Sequence, residues 1–384
     1  MRPETLGLTT SMQPTSAYLH VPFCRHRCGY CDFTLVAHRD DLIDRYLAAL
    51  ERDLQTLETS HPVRTIFIGG GTPSHLSPSQ LHRLLALINH WFPLEHGGEF
   101  SLEANPLDIT PERVDVLADG GVNRISLGVQ SFDDATLKLL ERDHTAADIA
   151  RVVDLLRTRF ENISLDLIFG VPGQTLSLWE QALEQAHALK PQHISTYGLT
   201  FEKGTSFWQR RETGTLHSTP EELEREMYAL AMSWLPAHGF LQYELSNFAA
   251  PGFECAHNRT YWAGLPYYGF GPGAARYLEG TRSVNHRSVT TWLARVEQGR
   301  SPIMESETLS PEDRARELIF LGLRRIEGID RATFHAQSGF DLDRLAGDSI
   351  GENFSRSWLE DTGHAIRLTL EGRFLADTVI SSFL

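Results

Sequence analysis

From residue 16 to residue 197 the sequence alternates short β-rich runs with amphipathic helical segments, and this alternation restricts the fold more than any other feature. Because parallel strands need a crossover between them, usually a helix, repeated strand–helix units predict one parallel sheet with right-handed crossovers. Six units are fewer than the eight of a closed barrel, so an α/β fold, an open (β/α)6 partial barrel, is predicted, with a doubly wound sheet as the alternative. The β-rich runs are SAYLHV (16–21), TIFI (65–68), EFSLEA (99–104), NRISLGV (123–129), ISLDLIFG (163–170) and HISTYGL (193–199).

The segments between these runs carry the signals of helices. Ser77-Pro78-Ser79-Gln80 has the form of a capping box with proline in the first turn, and Thr110-Pro111 begins another segment in the same style. Helical spacing of apolar residues, which predicts one buried face, is clear at Ile43, Tyr46, Leu47, Leu50, Leu54 and Leu57.

After residue 200 the pattern changes, because glycine and aromatic residues become dense over 247–277 and helical segments follow. We expect a loose tail over 1–15, the partial barrel over 16–215 and an extension of the barrel over 216–289. A small, mainly helical C-terminal accessory domain is expected over 290–384.

The bulk composition excludes several classes of function. The chain of 384 residues has a net charge of −15 and no long basic run, which argues against nucleic acid as a partner. No run of about 18 apolar residues is present, so no membrane span is predicted. Residues 1–15 lack the apolar core of a secretion signal, so we expect a cytoplasmic protein.

Three of the four cysteines, Cys24, Cys28 and Cys31, fall within eight residues, directly after the first β-rich run. Such crowding in a cytosolic chain favours metal or redox chemistry over disulfides. The loops after the strands of a parallel barrel form its active face, so the C-x3-C-x2-C spacing predicts three thiolates at that face.

Two kinds of metal centre fit three thiolates. A structural zinc would need a fourth ligand, for which His20, His26 or Asp32 is available. An iron–sulfur cluster held by only three cysteines would instead leave one iron open to an external ligand.

Glycine and polar motifs follow at the ends of the later strands, and the carboxyl ends of parallel strands meet at one face. We therefore expect these residues to surround one site, although IGGGTPS alone is also compatible with a phosphate loop or a tight turn. The motifs are IGGGTPS (68–74), SLEANP (101–106) with Glu103, SLGVQSF (126–132) with Gln130, Arg142 twelve residues further on, and LDLIFGVPGQ (165–174) with Asp166.

The C-x3-C-x2-C motif after a first strand resembles the radical S-adenosylmethionine (SAM) superfamily. The resemblance implies a radical SAM barrel with a [4Fe–4S] cluster on Cys24, Cys28 and Cys31. It further implies that the amino and carboxylate groups of SAM chelate the open iron. The SAM positions that it implies are Tyr18, Tyr30, Gly70, Gly71, Thr72, Glu103, Gln130, Arg142, Asp166 and Gly198.

The whole series of motifs, through to RLTLEGRFL near the C-terminus, resembles the coproporphyrinogen-oxidase-like branch of that superfamily. The oxidase carries C-x3-C-x2-C-x-C, whereas this chain has Phe33 at the last position, so oxidase activity is not expected. The sister group is the HemW type of haem chaperone, whose hallmark H-N-x-x-Y-W is present over residues 257–262. The chain resembles this sister group, with a HemN-like accessory domain.

The resemblance implies that His257, Asn258, Tyr261 and Trp262 contact haem b. Histidine is a common axial ligand of haem iron, and a flat macrocycle needs aromatic and apolar walls. From the residues alone, a buried, hydrogen-bonded histidine in an aromatic-rich loop explains the same motif. Cys255 is a second candidate ligand that we leave outside the predicted site, because a lone cysteine is more often a small buried hydrophobe.

Three hypotheses of function follow. The predicted one is a haem chaperone that carries a radical SAM cluster and transfers haem to haem-dependent proteins. The resemblance implies that membrane respiratory enzymes receive the haem. It also implies that the protein forms a homodimer. The second is a radical SAM enzyme of porphyrin metabolism that decarboxylates coproporphyrinogen III or methylates haem. The third is a zinc protein that has lost its activity.

Overall fold

A computed structural model of the chain describes residues 13–384, so most of the predicted N-terminal tail lies outside the described residues. Six parallel strands follow one another in sequence order across the sheet, whereas the order of a doubly wound sheet reverses. The predicted α/β partial barrel is confirmed. Its strands are β1 (Ser16–Val21), β2 (Val63–Gly70), β3 (Leu94–Ala104), β4 (Arg124–Gln130), β5 (Asn162–Phe169) and β6 (His193–Gly198).

Three further strands, β7 (Leu241–Glu244), β8 (Asn247–Ala249) and β9 (Tyr268–Phe270), extend the two edges of this sheet. β8 pairs antiparallel with β6, and β7 pairs antiparallel with β8. β9 returns to pair in parallel with β1 at the opposite edge. The resulting order is β9-β1-β2-β3-β4-β5-β6-β8-β7, and within residues 13–384 the two outermost strands do not pair, so the barrel stays open.

Helices connect the parallel strands and continue through the rest of the chain. No helix of residues 13–384 is long and apolar enough to cross a membrane. The helices are α1 (Ile43–Leu54), α2 (Pro78–Trp91), α3 (Pro111–Asp119), α4 (Asp134–Leu139), α5 (Ala146–Leu156), α6 (Leu176–Ala188), α7 (Ser206–Glu212), α8 (Glu221–Ala237), α9 (Ala256–Trp262), α10 (Val289–Glu297), α11 (Pro311–Gly322), α12 (Arg331–Ser338), α13 (Leu342–Ser355), α14 (Leu370–Phe374) and α15 (Ala376–Ser381).

The sequence signals for the first helices correspond to real contacts. The Ser77 hydroxyl accepts the backbone N–H of Gln80 at 3.3 Å, and the Gln80 side chain accepts the N–H of Ser77 at 3.1 Å. This reciprocal capping box fixes the start of α2. The apolar face of α1 is buried against the sheet, with Tyr46, Leu47 and Leu50 fully covered.

A second apolar core lies in the C-terminal part of the chain. It is built from α11, α12, α13, α15 and a small sheet of β13 (Ile329–Asp330), β15 (Ala365–Leu368) and β14 (Leu359–Asp361). A separate sheet precedes it in the chain and consists of β10 (Ala275–Leu278), β11 (Thr281–Asn285) and β12 (Ile303–Thr308). Helix α10 packs in the main core instead, so core packing favours a boundary after α10 rather than at residue 290. The predicted division into domains otherwise stays a prediction.

Replacing Trp292 of α10 by alanine tests whether this helix belongs to the barrel core. The Trp292 side chain is fully buried, and its ring lies 5.6 Å from that of Tyr46 in α1. We expect Trp292→Ala to lower the free energy of unfolding by about 3–5 kcal/mol, measured by denaturant titration. Met304→Ala, at a half-exposed position, is the control and should change stability by less than about 0.5 kcal/mol. If Trp292→Ala and Met304→Ala lowered the free energy of unfolding equally, α10 would lie outside the core.

Candidate functional site

The carboxyl ends of the parallel strands surround a cavity of about 480 Å³. The loop that carries the cysteines leaves β1 and forms one wall of this cavity. Parallel pairing of Phe23–Cys24 with Val36–Ala37 closes the base of that loop. The cysteines are therefore held at the face where a parallel barrel presents its functional groups.

All three thiols of the loop line the cavity as free thiols. Cys24 Sγ lies 3.2 Å from the Thr72 hydroxyl, and the Arg142 guanidinium donates to Cys28 Sγ at 3.7 Å. Burial raises the pKa of Cys24 to about 12 and also raises that of Cys31. Cys24 and Cys31 thus stay protonated until a metal displaces the protons, and Arg142 brings a positive charge beside Cys28.

The spacing of the thiols bears on the choice between cluster and zinc. Among residues 13–384, no three His, Cys, Asp or Glu side chains are placed to hold a single metal ion. A cubane cluster offers its irons at separate corners, so its cysteine sulfurs lie farther apart than those around one zinc. Three free thiols that line one cavity are the donor set that such a cluster needs.

The histidines considered as a fourth zinc ligand have other partners. His20 Nε2 donates to the Thr34 carbonyl at 2.6 Å, and its Nδ1 accepts from the Tyr18 hydroxyl at 2.9 Å. Burial lowers the pKa of His20 to about 4, so the ring is neutral. His26 contacts the Glu141 carbonyl through Nε2, while Asp32 lines the cavity.

The glycine motif at the end of β2 lets its backbone lie close to the residues that form the other walls of the cavity. Gly70 has a φ of +112°, and a Cβ there would lie 2.5 Å from the His20 ring, so a side chain does not fit. Its N–H donates to Glu103 Oε2 at 2.9 Å. This bond ties the end of β2 to the end of β3 and fixes the orientation of the Glu103 carboxyl.

Two buried carboxyls lie at the floor of the cavity. Burial raises the pKa of Glu103 to about 7, opposed by the Gly70 N–H and reinforced by Asp166. Burial also raises the pKa of Asp166, which accepts from Ser195 at 2.8 Å and from Ser126 at 3.0 Å. Because these partners are neutral, the pair suits a ligand that brings a cation or hydroxyl donors.

Gln130 and Arg142 form the facing wall. Gln130 has a φ of +66°, and the β4–β5 pairing shifts register between Gly128 and Gln130. Bulges and positive φ at non-glycine residues cluster at functional sites, where they re-aim a side chain. Arg142 donates to the side chain of Asn105 and to the Gly128 carbonyl, while its buried Nε–H has no partner in the described protein.

The structure brings together nearly all of the predicted SAM positions. Tyr18 is the exception: it lines a second, inner cavity, and its hydroxyl reaches the loop end only through His20 and Thr34. The predicted positions that line the first cavity are Tyr30, Gly70, Gly71, Thr72, Glu103, Gln130, Arg142, Asp166 and Gly198.

The inner cavity measures about 220 Å³ and shares Glu103, Ser126, Asp166 and Tyr197 with the first. Residues from α9 line its opposite side, namely His257, Asn258 and Tyr261. This volume is smaller than the roughly 300–1,000 Å³ of ordinary small-molecule pockets, and haem is a large ligand. The predicted contact of these residues with haem stays a prediction.

His257 is fully engaged by an ordered chain of hydrogen bonds. The Thr65 hydroxyl donates to Ser16 at 2.8 Å, so it accepts from His257 Nδ1 at 2.9 Å. His257 Nε2 then accepts from the Tyr261 hydroxyl at 2.8 Å. Burial lowers the pKa of His257 to about 3, which keeps the ring neutral. Neither ring nitrogen is free to bind iron in this structure.

The remaining motif residues point to a structural role for α9. Glu99 of β3 accepts the backbone N–H groups of Ala256 and His257 at 2.9 and 3.2 Å, and the Cys255 thiol at 3.3 Å. The helix thus closes the end of the barrel opposite the cysteine loop. Trp262 lies away from the inner cavity, with its ring 4.8 Å from the guanidinium of Arg324.

Several residues of the site escaped sequence reasoning. Asn105 orients Arg142, Arg124 and His193 line the inner cavity, and Glu99 caps α9. Asn105 lies inside a motif already singled out, so its position could have identified it. Arg124 and His193 lie at strand beginnings and Glu99 lies within β3, where the sequence offers no chemical pattern.

Comparisons with known proteins agree with this architecture. The model of the radical SAM superfamily matches residues 18–186, and the model of the HemN C-terminal domain matches residues 309–375. The second match coincides with the C-terminal core.

Relatives with assigned names cover nearly the whole chain. The heme chaperone HemW of Bacillus subtilis is 40% identical over 374 residues, which cover 96% of this chain and 99% of that protein. The heme chaperone HemW of Lactococcus lactis is also 40% identical, with 97% and 98% covered. The Escherichia coli coproporphyrinogen III oxidase HemN superposes with a TM-score of 0.85 at 22% identity, covering 96% of this chain and 90% of that one, and shows the fold.

The hydrogen-bond chain through His257 predicts a loss of stability on truncation. His257→Ala would leave the buried Thr65 and Tyr261 hydroxyls without their partner, so we expect the free energy of unfolding to fall by about 2–4 kcal/mol. Tyr261→Phe removes one bond and should cost about 1–2 kcal/mol. Denaturant titration measures both, with the exposed His217→Ala as control. A His257→Ala protein as stable as its control would refute the structural role.

Proposed function

The chain belongs to the HemW family of the radical SAM superfamily, and we propose from this premise that it binds haem and hands it to haem-requiring proteins. The observation that carries the proposal is full-length similarity to proteins named heme chaperone HemW, in a chain whose three loop cysteines line one cavity. In this account a [4Fe–4S] cluster and SAM belong to the resting protein.

Cys24, Cys28 and Cys31 would hold the cluster through three of its irons. The donor set fits, because free thiols surround one cavity beside the Arg142 cation, which stabilises the negative charge of cluster and thiolates. A bound cluster supplies one iron with an open coordination position and a store for one electron. The protein supplies the ligands and the neighbouring charge.

SAM would occupy the rest of the cavity. Its sulfonium group is a cation and its ribose hydroxyls are hydrogen-bond donors, and the Glu103 and Asp166 carboxyls are acceptors at the floor of the cavity. Arg142, with a buried Nε–H that has no protein partner, is the matching donor for a carboxylate. Gly70, Gly71 and Thr72 would lie along the ligand backbone, and Tyr18 would act on the loop through His20.

The loop itself favours a chaperone over an oxidase. Phe33 occupies the position at which the oxidase carries a further cysteine, and its side chain is 54% exposed at the cavity edge. The chain therefore lacks the further cysteine of the oxidase motif at this point of the loop. The likeness to HemN supports the fold alone.

The recipients and the assembly follow from the same proposal. Membrane respiratory enzymes are the proposed recipients, so a cytoplasmic chaperone would visit the membrane surface. Its net charge of −15 opposes attraction to anionic lipid, so contact with the recipient itself must direct the encounter. A homodimer is proposed as well.

Anaerobic reconstitution with iron and sulfide tests cluster, haem and activity on one sample. We expect about four irons per chain, a broad absorbance in the blue, binding of haem and its transfer to an apo-haem protein. Cys28→Ser should lose the cluster, while the matched Cys255→Ser, at a buried cysteine outside the first cavity, should keep it. Uptake of one zinc would contradict the cluster, and decarboxylation of coproporphyrinogen III would replace the chaperone by an enzyme.

The pKa of Glu103 predicts a pH dependence of SAM binding. A cationic ligand needs the ionised carboxylate, whereas burial raises the pKa of Glu103 in the free protein to about 7. Binding therefore releases a proton below that pH, so affinity should rise with pH up to about 7 and then level off. Equilibrium dialysis should show binding by Glu103→Gln about 10- to 100-fold weaker, with a smaller rise with pH, because only the Asp166 carboxyl remains to titrate. Parallel pH profiles for the two proteins would exclude this role of Glu103.

A further inference from the structure

A third cavity, of about 400 Å³, lies between the edge of the barrel and the C-terminal helices. Its walls include Phe169 and Gly198 from the ends of β5 and β6, and Arg373 and Phe374 from α14. Gly198 also lines the cavity that holds the cysteines. A ligand in the third cavity would therefore lie beside the proposed SAM site without entering the barrel.

Two arginines, Arg324 and Arg373, line this cavity, and the Nε–H group of each is buried without a partner in the described protein. Arg373 donates through Nη1 to the neutral side chain of Gln242 at 3.0 Å. Burial lowers the pKa of its guanidinium, and the neighbouring Arg367 adds to this effect, while Tyr228 and Glu360 oppose it. A half-buried cation whose burial is only partly offset is costly, so the cavity favours an anionic ligand.

Two carboxyls face the other arginine. Burial raises the pKa of Glu244 and Arg324 partly lowers it, and Asp377 approaches Arg324 at 3.7 Å with a side chain that is 95% exposed. An exposed single ion pair contributes about 0–1 kcal/mol, so a ligand carboxylate can displace it. Both guanidinium groups are therefore available as planar, bidentate donors of the kind that carboxylates prefer.

The same cavity has aromatic walls. Phe169 and Tyr228 stack with their rings 3° from parallel and centroids 6.0 Å apart, and Phe374 meets Tyr228 edge-on at 5.7 Å. Arginine pairs beside aromatic rings suit a flat apolar ligand with carboxylates at its edge. The inner cavity has aromatic walls too, but Arg124 is the one arginine among its described lining residues.

The H-N-x-x-Y-W motif reaches this cavity through its last residue. The Trp262 ring carries the Arg324 guanidinium at 4.8 Å, while His257 and Tyr261 fix α9 at the inner cavity. Trp262 is thus a positioning residue for Arg324. This arrangement gives the motif an effect on the third cavity without a bond from His257 to iron.

We propose that the cavity between the barrel and the C-terminal helices binds the propionate carboxylates of haem through Arg324 and Arg373. This inference rests on the proposed haem-chaperone function and assigns its haem site. The macrocycle packs against the Phe169, Tyr228 and Phe374 side of the cavity. Trp262 acts on binding by holding Arg324.

Titration of the reconstituted full-length protein with haem b and with its dimethyl ester, which lacks both carboxylates, tests this site. Wild type should bind haem b about 10- to 100-fold more tightly than the ester. Arg373→Gln and Arg324→Gln should lose most of this preference while binding the ester as wild type does. Asp377→Asn should bind haem b at least as tightly, and Arg151→Gln, on the exposed face of α5, is the control.

The outcomes separate the site from the function. The site would be refuted if wild type bound haem b and its dimethyl ester equally well, or if the arginine variants kept the preference for haem b. Neither result would contradict the chaperone function. A wild type that binds neither form would overturn both. If circular dichroism shows that a glutamine variant does not fold, Arg373→Lys replaces it, because lysine keeps the charge but cannot donate in a bidentate manner. This variant should show an intermediate preference for haem b over the ester. A preference equal to that of wild type would count against the site. Trp262→Phe, which keeps a smaller ring, should weaken the binding of haem b more than the binding of the ester.

Discussion

Two carboxyls buried inside the barrel, those of Glu103 and Asp166, organise the rest of the site. Both line the outer and the inner cavity, so they divide the barrel interior into two compartments. Backbone and hydroxyl donors hold them, and burial raises the pKa of each carboxyl, that of Glu103 to about 7. The cysteine loop, the glycine motif and the facing arginine are arranged around that floor, and the cofactor site depends on this order.

In the structure, the contacts of the H-N-x-x-Y-W motif differ from those that its residue types suggest. His257 is the residue type that binds iron, yet its lone pair is already taken by Tyr261, and the cavity that it faces is smaller than ordinary ligand pockets. The motif closes the barrel at one end and, through Trp262, reaches an arginine outside it. A haem carrier also benefits from an outer site, because a ligand that must leave needs an open path.

Features that depend on residues close together in the sequence could be predicted, whereas contacts between distant segments could not. The strand–helix alternation, the capping box at Ser77 and the cysteine loop are read within a few neighbouring residues, and the structure reproduces them. Pairing of β9 with β1 joins segments some 250 residues apart, and Arg324 meets Arg373 in one cavity only after the C-terminal helices pack. The buried state of His257 likewise depends on Thr65, a distant residue that no motif marks.

The position of bound haem tests the account most directly. A nitroxide on Ser381→Cys at the end of α15, or on His96→Cys near the beginning of β3, reports proximity to the paramagnetic haem iron by pulsed electron paramagnetic resonance in the cluster-loaded protein. The account predicts the stronger relaxation at residue 381, because haem lies against the C-terminal helices. Stronger relaxation at residue 96 would place haem at the α9 end of the barrel and contradict it.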